Sequence, residues 1–147
     1  DWDFIATSPL SRAKETAEIV AQQLGISEVS IEPLLLERSF GEAEGMTHEE
    51  WKRDFPDGLP PGGESLDVLR ARAELLLDRL LTVYRGTRVL TVSHGALIRK
   101  LVRMVSAGEL PVEGQRFGNT SLSVIVHDEN GWRIESFEPR SLADLSK

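Results

Sequence analysis

Asp3-Phe4-Ile5-Ala6-Thr7-Ser8-Pro9-Leu10-Ser11-Arg12-Ala13 decides the fold. It reads as a buried strand that breaks directly into a helix, with an arginine in the helix's first turn. Ser8 is expected as the N-cap and Pro9 as the first helical residue, where a missing N–H has no partner to lose. The free N–H groups and positive dipole end of such a helix attract anions. Arg12 adds a two-pronged guanidinium that fits phosphate better than an ammonium does.

Working outward, Ala13, Ala17, Val20 and Leu24 share one face of a helix over residues 9–24, and Gly25 is placed to stop it. Val29 to Glu32 alternates like a short strand. Residues 33–45 form a loop with glycine pivots at Gly41 and Gly45. Thr47-His48-Glu49-Glu50 has the spacing of a capping box for a short helix to about Phe55. Residues 57–63, rich in Gly and Pro, form a loop. A long helix follows from Ser65 to about Tyr84, with Leu66, Leu69, Ala73, Leu76, Leu77 and Leu80 inward. Arg88 to Ser93 is a continuous apolar strand of the kind found inside a parallel sheet. His94-Gly95 stands at its end, before a helix from Ala96 to about Ser106. Residues 121–127 and 132–137 read as a hairpin turning at Asp128-Glu129-Asn130-Gly131.

This is the pattern of one α/β domain over residues 1–147, in which ligands bind off the carboxyl ends of the strands. The 147 residues carry 40% apolar and 28% charged side chains, ordinary for a globular chain able to bury a core. The net charge of −7 argues against nucleic acid or an anionic membrane as the main partner, so any anion must be held by a local positive site. The chain has no cysteine, which removes disulfides, thiolate nucleophiles and Cys-based metal sites. No apolar run approaches a membrane span, no signal peptide is visible, and a cytoplasmic protein is expected.

Two strand-to-helix junctions, Ser8–Arg12 and Ser93–Gly95, point the same way in a parallel sheet, so Arg12 and His94 are expected over one crevice. Arginine supplies fixed donors, and histidine donates, accepts or attacks near neutral pH. Gly95 leaves room for a ligand oxygen beside the backbone. The plainer alternatives are a solvated helix charge for Arg12 and a satisfied polar group for His94. Glu37, between an apolar triplet and Phe40-Gly41, is either a partly desolvated general acid with a raised pKa or an exposed loop carboxylate. Gly62-Gly63-Glu64-Ser65 is a glycine-flanked helix start that either lines a pocket or simply caps. Asn119-Thr120-Ser121 either bonds a ligand or forms a turn. His48 and His127 read as surface groups, Trp51 and Trp132 as packing groups. Zincin, P-loop and dinucleotide motifs are missing, and neither Ser8 nor Ser93 lies in a G-x-S-x-G elbow.

The ordered set Ser8-Pro9-Leu10-Ser11-Arg12-Ala13-Lys14-Glu15-Thr16-Ala17, Leu36-Glu37 with Phe40 to Gly45, Pro61 to Ser65, Val92 to Arg99 and Asn119 to Ser121 resembles the histidine phosphatase superfamily, in its phosphoglycerate mutase-like branch. The resemblance implies a three-layer α/β/α fold with a mostly parallel sheet, and transfer of a phosphoryl group through a phosphohistidine. By this resemblance Arg12, Glu37 and His94 are catalytic, with Glu37 as the proton donor and later the base. Arg12, His94, Gly95, Glu64 and Asn119 are the expected substrate or phosphate contacts. No metal and no organic cofactor is implied. The ligand expected is a small phosphomonoester or inorganic phosphate.

The pattern departs at one place. The family's nucleophile lies in an Arg-His-Gly triplet at the end of an earlier strand, and none of His48, His94 or His127 lies in such a triplet. His94 matches the second, phosphate-binding histidine. The chain is therefore expected to be an N-terminally incomplete domain lacking its first central strand, whose loss would bare sheet edges. Such an edge would favour association, so a homodimer is allowed. The short stretch between Glu37 and Gly62 favours a small phosphatase over a phosphoglycerate-type mutase, and a phosphatase-like module that binds without chemistry is the further alternative. Specificity is expected in residues 42–63 and in the missing N-terminal loop.

Overall fold

The computed structural model describes residues 1–141. They form two compact units, Asp1–Leu97 and the residues from Ile98 onward. The architecture is α/β, with a parallel sheet and, among the described residues, four α-helices.

In the first unit, strands β1 (Phe4–Thr7), β2 (Val29–Ile31) and β3 (Val89–Val92) pair in the order β2-β1-β3, all parallel. The register sets Thr7 beside Val92, and the Ser8 N–H extends the ladder by donating to the Val92 carbonyl at 3.0 Å. Ser8 and the residues after β3 therefore emerge side by side at the carboxyl edge of the sheet. Ile5, Ala6 and Thr7 are fully buried, as a strand paired on both sides requires. β3 differs from its sequence reading. Read as an inner strand, it leaves Thr91 exposed and Val89, Leu90 and Val92 half-buried. The reason is pairing: among the described residues β3 meets a strand only along its β1 edge.

Helix α1 spans Ser11–Leu24 and ends at Gly25, which takes the left-handed φ of 70° that the stop demanded. Ala17 and Ala21 press on Ile5, with Val20, Ile26, Val29, Leu90 and Val92 around them. Small residues on this face let the helix lie close to the sheet. The helix start is a correction to the sequence reading. Ser8 is not the N-cap and Pro9 is not helical; Leu10 precedes the first turn, and its carbonyl accepts from Ala13 and Lys14. The Ser8 hydroxyl is held elsewhere, 2.8 Å from the His94 ring. Arg12 still falls in the first turn.

Single 3₁₀ turns at Pro33–Leu35 and Gly41–Ala43 punctuate the loop after β2. Helix α2 (His48–Asp54) carries both halves of the predicted capping box, Thr47 bonding the Glu50 N–H and Glu50 bonding back to Thr47. Helix α3 (Leu66–Val83) starts on the Ser65 hydroxyl and buries Leu69, Ala73, Leu76 and Leu77. Leu66, expected inward, is 56% exposed because it lies in the first turn, beyond the buried stripe. Helix α4 (Gly95–Val105) follows β3 after two residues.

Gly41 is fixed by space as well as by its φ of 55°. A Cβ there would lie 2.1 Å from the Pro61 carbonyl oxygen and 2.4 Å from the Gly63 nitrogen. Gly41→Ala is expected to destabilise the first unit by about 2–3 kcal/mol, since backbone must yield on both counts. A urea titration reads this directly, and an unchanged midpoint would contradict it.

The second unit contains the hairpin β4 (Leu122–Asp128) and β5 (Gly131–Glu138), antiparallel with a bulge after Val124. Its turn is tighter than the sequence suggests, because Asp128 and Gly131 already pair and Asp128 Oδ1 accepts from the Asn130 N–H at 2.8 Å. Phe117 stacks edge-on against Phe137 and beneath the Arg99 guanidinium.

Candidate active site

Because β1 and β3 run parallel in register, their ends bring Ser8 and His94 together. His94 is buried, 9% exposed, and its Nε2 lies 2.8 Å from the fully buried Ser8 hydroxyl. Its Nδ1 has no hydrogen-bond partner among the described residues. Ser93, beside it, donates to the Leu35 carbonyl at 2.7 Å and so ties the end of β3 to the loop that carries Glu37.

Glu37 is half-buried and oriented by two backbone donors. Its Oε1 accepts from the Arg38 N–H at 2.8 Å, and its Oε2 from the Ala96 N–H at 3.3 Å in the first turn of α4. A carboxylate at that helix end interacts favourably with the dipole. Gly95 opens α4 with no atom near where a Cβ would stand, so the backbone there is approachable.

Arg12 is exposed in the first turn of α1 and makes no side-chain hydrogen bond or ion pair among the described residues. No acidic residue occupies that turn. A cation there opposes the helix dipole and gains nothing local in return. The charges of Glu37, Arg12 and Arg72 all act on the His94 ring.

Burial is the largest influence on His94 and pulls its pKa below the ordinary 6.5; Glu37 opposes this, while Arg12 and Arg72 reinforce it. The folded state thus binds fewer protons at His94 than the unfolded chain does. Stability should be complete above about pH 6.5 and fall as the pH drops below it. Thermal melts between pH 5 and 7.5 should show this slope, and His94→Gln should flatten that part of it. An equal slope in the variant would contradict the assignment.

Arg72, in α3, escaped the sequence reading. Its guanidinium grips both oxygens of Glu64 at 2.9 Å and donates to the Leu34 and Leu36 carbonyls at 2.9 and 2.7 Å. It therefore holds the backbone on the near side of Glu37. The signal was present: Arg72 sits three residues after Leu69 and four before Leu76, on the face that the helix buries.

Glu64 has its carboxylate engaged by Arg72 and by the Ser39 N–H, which keeps its pKa below the usual carboxylate range, chiefly through the Arg72 bond. Its carbonyl accepts from Arg38 Nε at 2.8 Å. Glu64 thus ties the Pro61–Ser65 loop to the loop bearing Glu37. Asn119, in the second unit, is exposed in the turn where Ser121 N–H meets the Gly118 carbonyl, just before β4. His48 and His127 are exposed. Trp51 packs edge-on against Phe40, and Trp132 against His127. An open, apolar groove of about 370 Å³ is lined by Arg38, Trp51, Gly58, Leu59, Ser65 and Leu66. Among the described residues no cluster of His, Asp and Glu suited to a metal ion occurs, and no helix is long and apolar enough to cross a membrane.

Comparison with known proteins bears on this arrangement. The chain is 39% identical over 140 residues to a Bacillus subtilis (strain 168) protein named as uncharacterized phosphatase PhoE, covering 95% of this chain and 72% of that one. It is 33% identical over 144 residues to phosphoglycerate mutase-like protein 4 of Arabidopsis thaliana, covering 89% of this chain and 62% of the relative. A solved mycobacterial glucosyl-3-phosphoglycerate phosphatase in complex with inorganic phosphate superposes with a TM-score of 0.74 at 26% identity, over 95% of this chain and 78% of that chain. The sequence pattern of the histidine phosphatase superfamily (branch 1) matches residues 1–139. The chain belongs to the histidine phosphatase superfamily, with the parallel α/β fold of its phosphoglycerate mutase-like members.

Proposed function

We propose that the chain carries the phosphoryl-binding and proton-transfer half of a phosphomonoesterase acting on small phosphorylated metabolites through a phosphohistidine. One observation carries this reading. An arginine in a helix's first turn, unpaired among the described residues, acts on a buried histidine whose Nδ1 has no partner among them, with an oriented carboxylate acting on the same ring. Cationic and neutral donors left without a protein partner suit an anion with several oxygens.

In this mechanism Arg12 and His94 hold the phosphoryl oxygens, and Gly95 leaves its backbone open to them. A histidine from an Arg-His-Gly segment outside residues 1–147 attacks phosphorus. The N–P bond forms as the P–O ester bond breaks, and Glu37 gives its proton to the departing oxygen. Water then attacks phosphorus, Glu37 takes a proton from it, the N–P bond breaks, and inorganic phosphate leaves. The protein's part is positioning and charge stabilisation of a diffuse transition state. Glu64 acts by fixing the Glu37 loop through Arg72. The edge of β3 that meets no strand among the described residues suits a further parallel strand leading to the nucleophile.

The leaving group tests Glu37. Protonation matters little for a nitrophenolate and greatly for an alkoxide. With the nucleophilic segment present, Glu37→Gln should slow alkyl phosphate hydrolysis by about 10²–10⁴-fold and p-nitrophenyl phosphate much less. Equal losses on both substrates would remove Glu37 from the proton-donor role. Phosphate release without isomer formation from a phosphoglycerate would separate hydrolysis from mutase chemistry.

A further inference from the structure

We propose that Ser8 is a positioning residue for His94: its buried hydroxyl fixes the ring as the Nδ1–H tautomer, leaving that N–H as the donor for a phosphoryl oxygen. The ligand in this statement rests on the function proposed above; the tautomer does not.

The argument is one of proton accounting. A hydroxyl has one proton to donate and two lone pairs to offer. Ser8 is fully buried, so its proton needs a partner within the protein. Its Oγ has two neighbours within hydrogen-bond reach, the Leu10 N–H at 3.3 Å and His94 Nε2 at 2.8 Å. The Leu10 N–H is a donor and occupies a lone pair. The Ser8 proton is therefore given to Nε2, which must be the unprotonated ring nitrogen of the neutral imidazole. The ring proton then sits on Nδ1, the nitrogen without a partner among the described residues.

The opposite tautomer would strand the Ser8 proton in a buried site and present a bare lone pair to an anion. Ser8 thus keeps the proton of the neutral ring on Nδ1, available as a donor to a ligand. A Ser–His contact of this length also suggests a nucleophile and its base, but Ser8 has no exposed surface for an electrophile to approach. The backbone holds the hydroxyl in place. Ser8 N–H is bonded to Val92 on the neighbouring strand, and the Ser8 carbonyl accepts from Thr7 Oγ1 at 3.2 Å.

Side-chain ¹⁵N spectroscopy of the intact chain, labelled at histidine and held above pH 7, decides the matter. The expected spectrum has a protonated Nδ1 and an unprotonated Nε2 at His94. In Ser8→Ala, which removes one atom and creates no clash, the ring should turn to the Nε2–H form or a mixture. Inorganic phosphate should then bind about tenfold more weakly than to the parent. An Nε2–H ring in the parent, or an unchanged tautomer in the variant, would overturn the proposal. If Ser8→Ala does not fold, the parent spectrum alone decides the tautomer. Phosphate that leaves an Nδ1–H resonance unmoved would instead overturn the phosphoryl-binding reading, and the two failures are distinct.

Discussion

Arg72→Met should destabilise the first unit by about 3 kcal/mol, with a melting temperature lower by roughly 6–12 °C. The reasoning concerns what the substitution leaves behind more than what it removes. Arg72 and Glu64 are largely buried, with side chains 17% and 12% exposed, and the pair satisfies two further carbonyls at Leu34 and Leu36. Methionine fills most of the volume but leaves a carboxylate with only the Ser39 N–H, and two carbonyls without their donor. A buried charge stripped of its partner costs far more than an exposed pair does.

The sign of the pH dependence follows. In the parent, Arg72 holds the Glu64 pKa below its ordinary 4.5, so this contribution is complete above that value and lost as pH falls through the lowered pKa. In the variant, the carboxyl loses its cation while staying desolvated, and protonation relieves it. The difference between variant and parent should therefore be larger at pH 7 than at pH 4. Denaturant titrations at both values check this, and an equal or larger loss at pH 4 would contradict it.

The second large effect belongs to the anion clamp. With the nucleophilic segment present, His94→Ala should lower phosphomonoester turnover by about 10²–10³-fold, the usual cost of one donor aimed at transition-state charge. Arg12→Ala should cost a similar factor, and Arg12→Lys should recover little, because an ammonium cannot span two oxygens. The double variant should lose much less than the product of the single losses, since both groups act on one phosphoryl. Arg12 is exposed and its guanidinium makes no hydrogen bond or ion pair among the described residues, so its replacement should leave the melting temperature within about 1–2 °C of the parent. Wild-type turnover in either single variant would remove that residue from the site.

Much of this arrangement was legible in the sequence because local rules sufficed. Gly25 had to be left-handed to end a helix, and Thr47 and Glu50 had to cap one, so both appear where their spacing placed them. The parallel junctions after β1 and β3 were also readable, and they bring Ser8 to His94. The helix start was misread because of competition from a distant partner. Ser8 has the chemistry of a cap, but a histidine 86 positions away takes its hydroxyl, and the helix begins later. Glu64, named as a ligand contact by the family pattern, has its carboxylate held by Arg72. The junctions already set Arg12 and His94 over one crevice, and the family pattern supplied the idea that Glu37 belongs with them.

That idea meets its most direct test in a crystal structure of the protein grown with inorganic phosphate. The account predicts one bound phosphate with an oxygen within about 3 Å of His94 Nδ1 and others bridged by both arms of the Arg12 guanidinium. Glu37 should stand beside it, still held by the Arg38 and Ala96 N–H groups. Phosphate seated on other residues, with Arg12 and His94 touching no ligand oxygen, would contradict the account.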